Sequence, residues 1–181
     1  MNYRSPIVIP FHEEIVNVSI GDFNSLMVGK SGKVYAFGLN KYGALGLGEI
    51  QRTTAITEVP LPEPFDVDDK IVSASCGGSH VTVVTEFGNL YASGRNYHGA
   101  LGLGDRNDRH TLTHVITEEP IIHVSTGSSY SLALGQSGHI YVCGFNEKGQ
   151  LGVGDQEMRI SLTKVPSFRL FSNQTIKSAR K

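Results

Sequence analysis

The stretch "GRNYHGALGLGD", residues 94–105, crowds Gly99, Gly102 and Gly104 together as a loop does when its backbone cradles an anion. Its meaning is decided by the fact that it occurs three times. "GLNKYGALGLGE" runs from Gly38 and "GFNEKGQLGVGD" from Gly144, so the copies are spaced by 56 and 50 residues. A nucleotide site needs one glycine loop at a strand-to-helix junction, whereas a periodic series of such loops points to a blade or solenoid unit. The "GKS" at Gly29, Lys30 and Ser31 is not a phosphate loop either. Asn24 stands where that motif requires glycine, and the positions matching Lys30 are Glu86 and Gln136. A position that accepts either charge or none reads as a solvated turn tip.

A second block repeats in the same order and at the same intervals: "IVNVSIG" from Ile15, "IVSASCG" from Ile71 and "IIHVSTG" from Ile121. "IKSARK" from Ile176 opens a further copy, so residues 1–181 read as one repeat array with units over 15–70, 71–120 and 121–175 and a truncated fourth at 176–181. Within each unit "SLMVG", "VTVVT" and "SLALG" lead through Gly32, Gly88 and Gly138 into "KVYAFG", "NLYASG" and "HIYVCG". Alternation of Val34, Ala36 and Gly38 with Tyr35 and Phe37 has the period of a strand, and the turns make the pairs hairpins. No segment carries a capped helical period.

The glycines of the repeated loops are assigned a structural role: Gly38, Gly43, Gly46 and Gly48, with Gly94, Gly99, Gly102 and Gly104, and Gly144, Gly149, Gly152 and Gly154. They let backbone pass where a side chain would clash. Leu45, Leu101 and Leu151 read as buried plugs, and Ile15, Ile71 and Ile121 as core. Asn40, Asn96 and Asn146 are expected at positive φ in tight turns.

Composition narrows the function classes. The 16 Lys and Arg balance the 17 Asp and Glu, giving a formal net charge of −1 without a basic run, so nucleic acid is a poor partner. Cys76 and Cys143 have no cysteine or histidine at metal-ligand spacing; neither a metal nor a disulfide framework is expected, and a reducing compartment fits. The apolar stretch Ile7–Val8–Ile9 is too short for a signal peptide or a membrane span, so the chain reads as cytoplasmic or nuclear. The seven histidines are scattered, and Asp105, Asp108 and His110 read as a polar turn. No catalytic residue, metal or cofactor is assigned.

The pattern G-x-N-x-x-G-x-L-G-x-G, preceded by a G-x-[VIL]-Y-x-x-G hairpin and an I-x-x-[VA]-S-x-G strand, resembles the repeat of the regulator of chromosome condensation family. The resemblance implies an all-β, partial β-propeller of antiparallel four-stranded blades, about three of them. Phe37, Ser93 and Cys143 stand where family repeats often carry tryptophan, and the chain has none, which argues against the family's tryptophan-based light receptors. The family's G-x-x-H loop is kept only at Gly77 to His80, with Asn24 and Tyr130 in the equivalent places.

Propellers have about 4–8 blades, so three repeats are not expected to close as a single chain. The open end should expose a strand edge, which invites self-association, and "SPIVIPF" from Ser5 to Phe11 is expected to await a partner strand. The leading functional expectation is a non-catalytic protein-protein interaction module whose rims are the irregular segments "EIQRTTAITEVPLPEPFDVDD" and "DRNDRHTLTHVITEEP". The alternative that the resemblance implies is guanine-nucleotide exchange on a small GTPase. The partner-binding residues would then be Asp22, Phe23, Asn24, Ser79, His80, Ser129 and Tyr130.

Overall fold

The computed structural model describes residues 10–63, 65–66 and 68–166. These form twelve strands in three four-stranded antiparallel sheets, each a meander in chain order. Blade 1 holds β1 (Ile15–Ile20), β2 (Asn24–Gly29), β3 (Val34–Leu39) and β4 (Arg52–Glu58). Blade 2 holds β5 (Ile71–Cys76), β6 (His80–Thr85), β7 (Leu90–Gly94) and β8 (Arg109–Val115). Blade 3 holds β9 (Ile121–Thr126), β10 (Tyr130–Gly135), β11 (Ile140–Gly144) and β12 (Arg159–Lys164). Register repeats with the sequence: Asn24 faces Gly38, His80 faces Gly94 and Tyr130 faces Gly144.

The fourth strand of each blade corrects the reading of the long connections as irregular rims. β4 and β8 lie inside "EIQRTTAITEVPLPEPFDVDD" and "DRNDRHTLTHVITEEP". Their threonine-rich outer strands, half exposed, carry too weak an apolar alternation to stand out.

Blades join face to face. Leu26, Val28 and Leu45 of blade 1 meet Ala74, Val81 and Val83 of blade 2 in one core, and Leu90, Ala92 and Leu101 of blade 2 meet Val124, Ala133 and Tyr141 of blade 3 in a second. Polar stitches accompany the apolar contact. Ser19 Oγ accepts from Cys76 N at 2.9 Å, and one joint later Ser75 Oγ accepts from Thr126 N at 3.0 Å. The serine of the I-x-x-[VA]-S-x-G block thus satisfies an inner-strand N–H of the following blade that its own sheet leaves free.

The twelve repeat glycines all have positive φ, from 66° to 115°. Space is decisive at Gly43, where a Cβ would lie 2.4 Å from the Arg109 carbonyl oxygen and the His110 Cα, and at Gly99, where it would meet the Ile160 Cα at 2.5 Å. The first two glycine blocks also bond to the neighbouring blade: Gly48 N donates to His110 O at 2.8 Å and Gly104 N to Ile160 O at 2.9 Å.

Three expectations change. Asn40 has φ −104°, and Tyr42 is the sole non-glycine residue at positive φ among those described. The asparagines work through their side chains instead, buried to 1% exposure or less: Oδ1 accepts from Leu45, Leu101 or Leu151 N while Nδ2 donates to carbonyls across the loop. Leu45, Leu101 and Leu151 are buried as expected, but Ile15 is only half-buried, unlike Ile71 and Ile121. Ile15 lies on the face of blade 1 turned away from blade 2. Among the described residues the ends of the array are sheet faces, each of the three blades carrying its own inner and outer strand. Most of the segment 5–11 and the copy at 176–181 lie outside the described residues.

Candidate functional site

The loops joining the first and second strands of each blade share one end of the array with the long loops joining the third and fourth. Three of the former converge on a cleft of about 100 Å³ lined by Asp22, Ser79, Arg95, Tyr97, His98 and Ser129, among others. The convergence is tight, because a Cβ on Gly78 would sit 2.9 Å from Ser128 Oγ and 3.0 Å from Asp22 Oδ2. Each loop opens on a glycine that makes room for the side chain at the start of the next strand: Asn24 folds beneath Gly21, His80 beneath Gly77 and Tyr130 beneath Gly127.

The seven expected partner-binding residues accordingly divide. Asp22 and Phe23 are exposed, Phe23 to 70%, and Ser79, Ser129 and Tyr130 are half-buried at or beside the cleft. His80 and Asn24 depart from the expectation, being buried to 1% and 3% exposure. The His80 Nε2 lies 2.8 Å from Ser131 Oγ, which donates to Ala100 O at 2.7 Å. Burial pushes the imidazole down to about 4, so it is neutral near pH 7 and ties blade 2 to blade 3. Asn24 has no such partner, because the residue of blade 2 equivalent to Ser131 is Val81.

The sequence reading missed the residues that fill the rest of the cleft mouth. The Arg95 guanidinium lies over the Tyr42 ring at 5.0 Å and over the Tyr97 ring at 5.8 Å, and Lys41 lies 4.9 Å from Tyr42. His98 packs between Tyr97 and Phe145, each ring centroid 4.8 Å away, and its buried Nδ1 has no hydrogen-bond partner among the described residues. Desolvation, with Arg95 close by, lowers its pKa. Neither Arg95 nor Asp22 enters an ion pair among the described residues. The available signal was variation: positions 39, 95 and 145 hold Leu, Arg and Phe, and 42, 98 and 148 hold Tyr, His and Lys, within loops whose glycines do not change.

Polar residues elsewhere in the repeats resolve into structural ties. Asp105 pairs with Arg109 at 2.6 Å and Asp155 with Arg159 at 2.5 Å; the Asp108 carboxylate accepts from Asn96 N, and His110 lies 3.5 Å from Glu49 of the previous blade. Glu119, two residues before the Ile121 block, accepts from Ser137 Oγ, Ser137 N and Tyr141 OH. Those donors, Ser137 Oγ first, hold its carboxyl down at about 2. Glu13 does the same for Ser31 and Tyr35, so an acid two residues before each isoleucine block pins the hairpin turn of its blade in blades 1 and 3. Burial raises the thiols, Cys76 to about 11 and Cys143 to about 12. Among the described residues no cluster of His, Cys, Asp and Glu is placed to hold a metal, and no helix is long and apolar enough to cross a membrane.

Comparison with known proteins agrees with this geometry. The human X-linked retinitis pigmentosa GTPase regulator is 43% identical over 102 residues, which are 56% of this chain and 10% of that protein. The rat probable E3 ubiquitin-protein ligase HERC4 is 40% identical over 100 residues, 54% of this chain and 9% of that one. The crystal structure of human WBSCR16 superposes with a TM-score of 0.78 at 25% identity, covering 86% of this chain and 41% of that structure. The chain thus matches only about a tenth of the length of these curated relatives. The model of the regulator of chromosome condensation (RCC1) repeat matches residues 31–84, 88–134 and 137–178, and a second model of the same repeat matches 15–44 and 121–150. Three sheets in repeated register, the first two each reaching the next through a glycine loop, and these matches together make the chain a member of the RCC1 repeat family.

Proposed function

We propose that this chain is a non-catalytic protein-protein interaction module that reads its partner with the loop face of the blades. The observation that carries the reading is the convergence of loops from three successive blades on one cleft whose mouth holds Asp22 and Arg95, neither in an ion pair among the described residues, and the rings of Tyr97 and His98. Arginine and tyrosine dominate the binding energy of protein interfaces because they offer large, stiff contact area with a polar end. Cation–π contact with Tyr42 and Tyr97 holds the Arg95 guanidinium in place and lessens the ordering that binding requires. A compartment with reducing conditions, cytoplasmic or nuclear, suits two buried free cysteines.

Relatives that share the repeat carry names as different as a GTPase regulator and a ubiquitin ligase, which favours recognition over any one chemistry as the task of the repeat itself. Guanine-nucleotide exchange on a small GTPase is the second reading; the first of these relatives is named a GTPase regulator. We do not adopt it, because, of the two loop residues that best match the exchange family, Asp22 and His80, only Asp22 is exposed at the cleft, and His80 is buried against Ser131.

The test is differential capture. Proteins retained from cell extract by the immobilised chain are compared with those retained by Phe23→Ala/Arg95→Ala/Tyr97→Ala and by Phe87→Ala/Ile122→Ala, the latter pair on the opposite end of the blades. Binding lost at least tenfold in the first variant and kept in the second supports the reading. Equal retention by all three contradicts it.

A further inference from the structure

We propose that the cleft between the three converging loops is a receptor for a single carboxylate, the Asp or Glu side chain of a partner segment laid across the loop face. The proposal rests on the loop-face reading above and adds what that face selects. The three loops share one backbone path and differ in chemistry. Equivalent positions hold Asp22 and Phe23, Gly78 and Ser79, and Ser128 and Ser129, so blade 1 brings an acceptor and a ring whereas blades 2 and 3 bring hydroxyls. The carbonyls of Phe23, Ser79 and Ser129 accept from Leu39 N, Arg95 N and Phe145 N at 2.8, 2.9 and 3.0 Å, which fixes each loop and holds Arg95 beside Ser79. Their side chains are left over. Ser75 and Ser131, in the strands of the same joint, bond to Thr126 and to Ala100 O, but the hydroxyls of Ser79, Ser128 and Ser129 at the cleft have no partner among the described residues.

The guanidinium completes the set of donors. Arg109 and Arg159 are locked onto Asp105 and Asp155, while the Arg95 side chain donates to no group among the described residues. Its contact with the Tyr42 and Tyr97 rings occupies the flat face of the guanidinium and leaves the N–H edge for a planar acid. Charge then decides which anion fits. Asp22 lines the same cleft of about 100 Å³ as Arg95, and the further charges that reach the His98 wall, Glu147 and Arg106, are one of each sign. A phosphorylated side chain would bring about 1.5–2 negative charges against Asp22 with one guanidinium to offset them. A carboxylate brings a single charge, pairs it with Arg95, accepts from the serine hydroxyls, and leaves Asp22 to accept from an N–H of the same segment.

The probes for the test come from a phage-displayed library of random hexapeptides selected on the immobilised chain, with counter-selection on Phe23→Ala/Arg95→Ala/Tyr97→Ala. The retained peptides should share one Asp or Glu. By fluorescence anisotropy, replacing that residue with its amide should weaken binding about tenfold or more, the loss of a charge-assisted hydrogen bond, and replacing it with phosphoserine should not strengthen binding. Arg95→Gln should abolish the preference for acid over amide, and Ser79→Ala/Ser129→Ala should reduce it. Asp22→Asn should improve binding of the phosphoserine peptide relative to the acid. The four altered sites, Asp22, Ser79, Arg95 and Ser129, are exposed or half-buried, and circular dichroism checks the fold of each variant. Retained peptides that bind as well with the amide overturn the carboxylate receptor and leave the loop-face reading standing. A phosphoserine peptide that binds more tightly than the acid overturns it in favour of a phosphate site. A library from which the chain retains no peptide contradicts both.

Discussion

Replacing Asn96 by alanine tests whether the repeated loops are held by one side chain. Asn96 is 0% exposed; its Oδ1 accepts from Leu101 N at 3.0 Å and its Nδ2 donates to Asp105 O at 3.0 Å. Alanine leaves an N–H and a carbonyl without partners inside the loop, each costing about 1–3 kcal/mol in a buried setting. The variant should therefore lose about 2–6 kcal/mol, a large share of the roughly 5–15 kcal/mol that holds a domain of this kind together. Urea unfolding followed by far-ultraviolet circular dichroism measures it, with tyrosine fluorescence as a second probe because the chain has no tryptophan. Asn96→Asp separates shape from bonding: the carboxylate still accepts from Leu101 N but cannot donate to Asp105 O, so most of the loss should remain. Asn107→Ala, exposed in the same loop, should change stability by less than about 0.5 kcal/mol. If Asn96→Ala also costs under about 0.5 kcal/mol, the loop is held by its glycines and Leu101 alone and the reasoning fails.

Acid should weaken the fold in two steps of the same sign. His80, with its folded pKa lowered to about 4 against 6.5, contributes stability that is lost as pH falls from 6.5 towards 4; Glu119, held at about 2 against 4.5, contributes stability lost from 4.5 towards 2. Glu119→Gln should flatten only the lower step, by about 1–3 kcal/mol, and chemical denaturation at pH 3, 5 and 7 checks it. Cys76 and Cys143 should resist a thiol reagent in the native state at pH 8 and react on unfolding, because both thiols are buried and raised; two native thiols titrating within seconds would contradict their burial. The chain at micromolar concentration should not accelerate nucleotide release from a small GTPase of nuclear transport. Acceleration abolished by Asp22→Ala would reinstate the exchange reading.

Much of the architecture is written in spacing. Glycines needed at positive φ, such as Gly43 and Gly99, cannot be replaced without a clash, and the isoleucine blocks must present the same face to each joint, so both recur at intervals the eye can find. The fourth strands stay hidden because half-exposed threonines at β4 and β8 have no strict alternation. The asparagines were found but misread: their place in a turn suggested strained backbone, whereas a buried amide offering both a donor and an acceptor is what the loop uses. Arg95, Tyr97 and His98 could not be picked out, because a binding face is made from the positions that differ between repeats, and difference alone has no address until the fold brings the loops together.

Amide hydrogen exchange on the chain with and without a captured partner tests the loop-face reading most directly. Protection confined to residues 20–24, 77–80, 95–98 and 127–130, with the hairpin turns at 29–33, 85–89 and 135–139 unchanged, is the pattern expected of a partner seated over Asp22, Arg95 and Tyr97. Protection of the hairpin turns, with the cleft loops exchanging as freely as before, would contradict it.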